Sequence, residues 1–334
     1  MNKIYEDKFF NKPQKDRYLK GLEESTYNTY SRVLKRASYL EEQLNKDLFN
    51  FNLYEIGQLM KLLSPTTFLS SKSQILTIRR YIRWAIKEDL RADNINPLDA
   101  ALTDELIQSY VDTSNKYLFS DEEINSFIGR IVNPQDSALI QCLFEGIMGR
   151  AYSEILNILE KDVDRGNGYI TLRNKPAEGP LETREIEISQ KLMNLLYSAA
   201  HQTVYYKSNG NESVFIKARD AELIESPYVF RPVALNVKYI DNAPPNLVSR
   251  RIKKIAKWFD YPYLTPINIR KSGMLKYANE LYRESGKFER TELMKVCRKF
   301  DIDYKGVNRL TTDFLNIETI ESLYPLIGDE ETGE

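Results

Sequence analysis

Residues 264–271 read Leu264-Thr265-Pro266-Ile267-Asn268-Ile269-Arg270-Lys271, at the head of a helix predicted over 267–283. The octet places two adjacent cations near the start of that helix, inside a strongly basic window. From Leu247 to Lys276 there are eight basic residues (Arg250, Arg251, Lys253, Lys254, Lys257, Arg270, Lys271 and Lys276) against Asp260 alone, a net of +7. A second window, Lys61 to Arg91, holds Lys61, Lys72, Arg79, Arg80, Arg83, Lys87 and Arg91 against Glu88 and Asp89, a net of +5. The whole chain is balanced, with 47 basic and 48 acidic residues and a formal charge of −1. Local potential, not net charge, decides whether a polyanion binds. Two cationic windows, one in each half, point to nucleic acid.

The remaining composition narrows the class. At 334 residues the chain has room for two domains. Its 42% hydrophobic content supports packed cores and excludes a disordered chain, a collagen-like repeat and a disulfide scaffold. The two cysteines, Cys142 and Cys297, each lie in an apolar helical pattern and read as buried thiols of a reducing compartment. A single histidine, His201, excludes a His-ligated metal cluster and any mechanism needing two histidines. It reads as a surface or helix-end residue. The polar N-terminus and the absence of a run of about 18 apolar residues predict a soluble, cytoplasmic protein with no membrane contact. No cofactor and no metal are expected.

Helical periodicity organises the first half. After a polar lead-in over 1–22, Ser25 or Thr26 is positioned to cap a helix carrying Tyr27, Tyr30, Val33, Leu34, Ala37, Leu40 and Leu44. Helices are predicted over 53–63, 71–88 and 104–111. On the 71–88 helix Ile75, Ile78, Ile82 and Ile86 form the buried stripe, and Arg79, Arg83 and Lys87 follow at i, i+4 and i+8 on an adjacent face beside Arg80. Residues 1–112 form a helical domain, 113–119 a linker, 120–328 an α+β domain and 329–334 an acidic tail. Ser120-Asp121-Glu122-Glu123 has capping-box spacing. Helices then follow at 121–131, 135–148, 151–160, 190–206, 247–258, 267–283, 290–300 and 306–316. Short strands are predicted at 169–173, 185–189 and 228–230, the first two joined by a loop carrying Lys175. The expected class is mainly α with a small β-sheet.

This order of elements resembles the tyrosine recombinase (phage integrase) family over nearly the whole chain. The 264–271 octet is similar to that family's L-T-P-H-x-L-R-H box. Gly146 to Leu159 (GIMGRAYSEILNIL) is similar to its first arginine box, G-x-R-x-S-E-L-x-x-L, and Lys175 sits where the family keeps a catalytic lysine. The resemblance implies a two-domain clamp, a helical core-binding domain plus an α+β catalytic-like domain. In that family a tyrosine hydroxyl attacks a DNA phosphodiester, two arginines stabilise charge on the phosphate, and a lysine and histidines move protons.

Several positions depart from that pattern. Ile267 replaces the box-two histidine, and Lys271 replaces the histidine after Arg270. Arg150 precedes Ser153-Glu154 by one residue more than the family's arginine does, which puts Ala151 in register. No histidine or tryptophan follows Trp258. For the nucleophile two positions stand open. Tyr304 fits by distance, 34 residues after Arg270, and Phe314 fits the local T-x-x-Y pattern of Thr311-Thr312-Asp313-Phe314 but has no hydroxyl. The set resembles a degenerate recombinase, and more narrowly the MrpR (YopR-type) repressors of SPβ-like temperate phages. That resemblance implies a sequence-specific repressor that holds lysogeny on double-stranded operator DNA without catalysis, open to an antagonist protein or peptide and to homo-oligomerisation on DNA. The expected DNA contacts are Arg79, Arg80, Arg83, Lys87, Arg150, Lys175, Arg250, Arg251, Lys253, Lys254, Arg270 and Lys271. The alternatives are a working recombinase using Tyr304 and a protein-interaction module that no longer binds DNA.

Overall fold

A computed structural model describes residues 8–112, 117–211, 218–234 and 242–325. Contacts divide the chain into two compact units, Met1–Asn115 and Lys116–Glu334. Residues 113–116 of the expected linker and the acidic tail lie outside the described residues.

The first unit is helical: α1 (Lys12–Leu19), α2 (Glu24–Leu44), α3 (Leu53–Leu63), α4 (Phe68–Lys87), α5 (Pro97–Ala101) and α6 (Asp104–Ser109). Its core gathers Leu34 and Ala37 of α2, Ile56 and Leu59 of α3, and Ile75, Ile78 and Ile82 of α4. Ile86 packs at the edge of that core. Asn52 and Glu55 close a capping box on α3, and the Thr67 hydroxyl caps α4. Neither Ser25 nor Thr26 caps α2. Its cap is Glu23, which makes no side-chain cap bond. Helix α1 lies inside the expected polar lead-in. Leu19 enters the core and Tyr18 packs against Tyr81 and Trp84. The buried Lys15 ammonium adds a polar anchor, reaching Glu41 at 2.6 Å and Asp47 at 2.9 Å, while the Tyr81 hydroxyl donates to Asp47 at 3.0 Å.

The second unit is α+β. It contains α7 (Asp121–Gly129), α8 (Pro134–Phe144), α9 (Ser153–Leu156), β1 (Val163–Asp164), β2 (Tyr169–Asn174), β3 (Glu182–Glu187), α10 (Gln190–Ala200), β4 (Val204–Tyr206) and β5 (Asp220–Glu222). Then follow α11 (Asn246–Trp258), α12 (Pro266–Ser285), α13 (Arg290–Lys299), α14 (Val307–Asp313) and α15 (Ile317–Leu323). Strands β1, β2 and β3 form an antiparallel sheet with Ile170 opposite Ile186 and Leu172 opposite Arg184. A two-stranded ribbon pairs β4 with β5.

Helix α8 is the central element: every residue from Gln135 to Phe144 is buried. Helices α10, α11 and α12 pack around it. The approach of α12 is closest at Gly273, where an added Cβ would lie 1.7 Å from the Phe144 carbonyl oxygen, so only glycine fits. A second cluster, built from Leu275, Ala278, Val296, Phe300, Phe314, Leu315 and Ile320, joins α12 to the C-terminal helices. Cys142 and Cys297 are buried and unbonded, and burial raises both thiol pKa values. Among the described residues no helix is long and apolar enough to cross a membrane.

Several expected elements differ. The helix over 151–160 is replaced by a kinked turn and the single-turn α9, because Gly149, Ala151 and Tyr152 all adopt positive φ (67°, 50° and 66°). The helix over 190–206 ends at Ala200, and Gln202 turns the chain into β4 by bonding Asn133 and the Val204 carbonyl. The strand at 228–230 reduces to one bridge, Leu159 to Tyr228. The 306–316 helix stops at Asp313, and α15 follows it.

Candidate functional site

Thr265 caps α12 by accepting from the Asn268 amide at 3.2 Å, and Pro266 takes the first helical position. One turn on, Arg270 points inward. Its guanidinium donates to the Phe300 carbonyl, and its Nε is buried without a partner. Burial lowers the Arg270 pKa, with Arg184 adding repulsion, while Glu154 and Asp301 oppose the shift. The buried Glu154 carboxylate is held by Arg184 through two bonds of 2.6 and 2.8 Å and by the Met148 amide at 3.0 Å. Arg184 also donates to the carbonyls of Lys299 at 2.8 Å and Gly146 at 2.9 Å. Two guanidinium groups therefore flank the Glu154 carboxylate in a partly enclosed site, with the Asp301 carboxylate also acting on Arg270.

Arg184 was not legible as a site residue. It lies on a short, charge-rich strand, and only its cross-strand position opposite Leu172 turns it toward Glu154.

The first arginine box and the hairpin are tied together by backbone. Asn174 Oδ1 accepts from the Arg150 amide at 2.9 Å and from the Ser153 hydroxyl at 2.7 Å, and Ser153 Oγ accepts from the Lys175 amide at 3.0 Å. Arg150 and Lys175 are thus brought to one rim, both exposed. The Ser249 hydroxyl donates to the Tyr152 hydroxyl at 3.0 Å and brings the start of α11 to the same rim.

Lys271 is engaged by the C-terminal helices. Its ammonium pairs with Asp313 at 3.0 Å and sits 4.7 Å from the Phe314 ring centroid. Phe314 has no exposed surface. Of the two nucleophile candidates, the phenylalanine lies beside the box-two residue. Tyr304 lies instead in the turn before α14, under the Arg290 guanidinium at 5.8 Å. Ile267, in the box-two histidine position, is 61% exposed.

Helix α11 carries the clearest cationic face. Arg250, Lys253, Lys254 and Lys257 are exposed at i, i+3, i+4 and i+7, and no acidic residue occurs in the helix. Arg251 faces the opposite way. It is 6% exposed, lies 3.4 Å from Asp136, and donates to Gln135 at 3.0 Å and to the Arg231 carbonyl at 2.9 Å. A basic window does not distinguish these directions; the helical period does. Arg251 therefore leaves the candidate contact set as an interior ion pair, and Arg270 and Lys271 are already engaged by Phe300 and Asp313.

On α4 the four expected cations do share one side. Arg80 donates to the Tyr30 hydroxyl at 2.6 Å, whereas Arg79 and Arg83 converge on Asp99 at 2.7 and 2.9 Å. Arg83, Lys87 and Trp84 line an open depression of about 600 Å³. Asp99 lies outside the basic window counted from sequence and offsets part of its charge. Arg91, counted in that window, is directed to the carbonyls of Phe49 and Phe51.

Comparison with known proteins agrees over both units. Residues 9–87 match the family described as MrpR, N-terminal core-binding domain. Residues 118–325 match MrpR, C-terminal catalytic domain. The chain is 26% identical over 322 residues to the SPbeta prophage-derived uncharacterized protein YopR of Bacillus subtilis (strain 168), covering 94% of this chain and 96% of that protein. Among solved structures it is similar to the XerH site-specific recombinase bound to palindromic difH substrate, with 14% identity, 86% of this chain, 75% of that chain and a TM-score of 0.44. It is also similar to the integrase from mycobacterium phage Brujita, with 13% identity, 95% of this chain, 92% of that chain and a TM-score of 0.36. With a core-binding unit followed by a catalytic-domain unit, the chain belongs to the MrpR family.

Proposed function

We propose that this protein is a sequence-specific, double-stranded-DNA-binding transcriptional repressor that performs no strand exchange. The observation that carries this reading is a cationic face presented on α11 together with a phenylalanine and an isoleucine at two positions where the resembled family keeps reactive groups. Arg250, Lys253, Lys254 and Lys257 stand outward on α11, with Arg150 and Lys175 on the rim that α11 begins beside. The phenylalanine at the T-x-x-Y position has no hydroxyl, and the isoleucine at the box-two position can neither donate nor accept a proton. Each missing general acid or base costs a reaction about 10²–10⁴-fold, and without a nucleophile there is no covalent step. Phosphate contacts from α11 and α4 supply affinity and register, and base-reading side chains supply specificity. The likeness to a prophage-derived protein supports a role in the cytoplasm of a bacterial host, holding a prophage in lysogeny. An antagonist protein or peptide that lifts repression, and assembly of several copies on one operator, both fit this reading.

The test is a gel shift against random duplex competitor, followed across salt. If about 6–10 phosphates are neutralised, affinity falls by roughly 10³–10⁵ between about 50 and 200 mM salt. Weak, salt-insensitive binding to every duplex refutes the reading. A covalent adduct on a nicked suicide substrate, lost in Tyr304→Phe, refutes the inactive centre.

A further inference from the structure

A cleft of about 370 Å³ opens in the second unit between the C-terminal end of α8, the start of α10, the middle of α12 and the end of α13. Its size falls within the range of about 300–1,000 Å³ typical of small-molecule sites. One of its polar groups has no hydrogen-bond partner and another has no carboxylate partner, and their needs are opposite.

The first is Gln141, 6% exposed. Its Nε2 donates to Glu145 at 2.7 Å. Glu145 also accepts from the Ser189 hydroxyl at 2.5 Å and the Ser189 amide at 2.8 Å. A carboxylate only accepts, so this contact fixes which way the Gln141 amide faces. Its Oε1 is left buried without a donor. An unpaired buried carbonyl costs about 1–3 kcal/mol, so the oxygen calls for an N–H.

The second is Lys191. Its ammonium meets only the Asn125 amide oxygen, and among the described residues no carboxylate lies within ion-pair distance. Partial burial lowers its pKa, opposed by Glu145 and Asp121. It calls for an anion. The wall also offers an apolar stretch of Phe144, Ile188, Tyr277 and Phe300, and its charged members Glu187, Lys276, Glu280 and Lys299 stand beside that stretch.

We propose that this cleft binds a free α-amino acid with an apolar side chain, whose ammonium donates to Gln141 Oε1 and whose carboxylate pairs with Lys191. One zwitterion supplies the N–H that Gln141 Oε1 lacks and a carboxylate for the Lys191 ammonium, whereas a simple anion or a simple cation supplies only one of the two. Occupancy bears on the arginine cluster. The side chains of Lys299 and Phe300 line the cleft, and their carbonyls hold Arg184 and Arg270.

The test is isothermal calorimetry on the full chain with each of the twenty free amino acids. At least one apolar member binds with a Kd of about 1 mM or tighter. Lys191→Met weakens that binding at least about tenfold, corresponding to about 1.4 kcal/mol, without changing the circular dichroism spectrum. Tyr277→Ala, at the apolar wall, weakens it too. The proposal is overturned if none of the twenty binds at that level, or if binding survives both substitutions unchanged. DNA binding by the ligand-free protein is measured separately, so loss of this site leaves the repressor reading standing, and the converse holds.

Discussion

Arg251→Met should damage the fold, whereas replacing Lys253, Lys254 and Lys257 together by alanine should leave the fold and reduce DNA binding. Arg251 lies 3.4 Å from Asp136, a carboxylate with no exposed surface, and also supplies donors to Gln135 and the Arg231 carbonyl. Without the guanidinium, Asp136 keeps the Tyr205 hydroxyl at 2.8 Å as its hydrogen-bond donor. Breaking one side of a buried pair costs about 3–5 kcal/mol. In a unit of this size about 1 kcal/mol moves the Tm by roughly 2–4 °C, so the second unit should melt about 6–20 °C lower. The three lysines are exposed, and each costs within about 0.5 kcal/mol of fold stability. If each neutralises one phosphate, their loss flattens the slope of log affinity against log salt by about 2.7. Scanning calorimetry reads the first effect, and fluorescence anisotropy on a labelled duplex over a salt series reads the second. An Arg251→Met protein that melts like the parent yet fails to bind DNA refutes the assignment of inward and outward cations. So does a triple variant with an unchanged salt slope.

Other consequences are equally direct. Asp99→Asn releases Arg79 and Arg83 from their shared carboxylate, so DNA binding should strengthen and its salt slope should steepen by up to about 0.9 per arginine that gains a phosphate; unchanged anisotropy curves would remove this face of α4 from the contact surface. Gly273→Ala sets a methyl 1.7 Å from the Phe144 carbonyl and should cost at least about 1–3 kcal/mol in urea unfolding as α8 and α12 separate. Lys15→Met strands Glu41 and Asp47 and should destabilise the first unit by about 3–5 kcal/mol, read as a lower urea midpoint. Burial, helped by Asp47 and opposed by Lys15, pushes Glu41 up to about 7. Its folded pKa exceeds its unfolded one of about 4.3, so its contribution is full below that value and is lost as pH rises toward 7. Calorimetry from pH 4 to 8 should show that decline in the parent and not in Glu41→Gln.

What the sequence made legible follows from what periodicity can encode. The stripes on α3, α4, α11 and α12 repeat at the helical interval, so those elements were expected within a few residues of where they lie. The Ser120 capping box appears as its spacing implied. Helix α1 escaped because only Tyr18 and Leu19 at its end are apolar and its third docking group is a lysine, which in a polar stretch reads as surface. The 151–160 segment escaped for the opposite reason. Its composition suits a helix, but Asn174, more than twenty residues away, bonds the backbone in a left-handed path. Of the candidate cations, those on α11 separated into inward and outward groups only once the packing on α8 was known. Arg270 was legible through its motif, whereas Arg184 depended on strand register, which no local pattern specifies.

The inward cation of α11 has a further effect on its outward neighbours. With Arg251 anchored in α8 and in the Arg231 backbone, the helix cannot roll about its axis, so the four exposed side chains project from a fixed mount. An approaching polyanion has to still only lysine and arginine torsions, at no more than about 2 kcal/mol each, while the backbone beneath them is already set. One largely buried guanidinium thereby lowers the entropic cost of every contact its neighbours make.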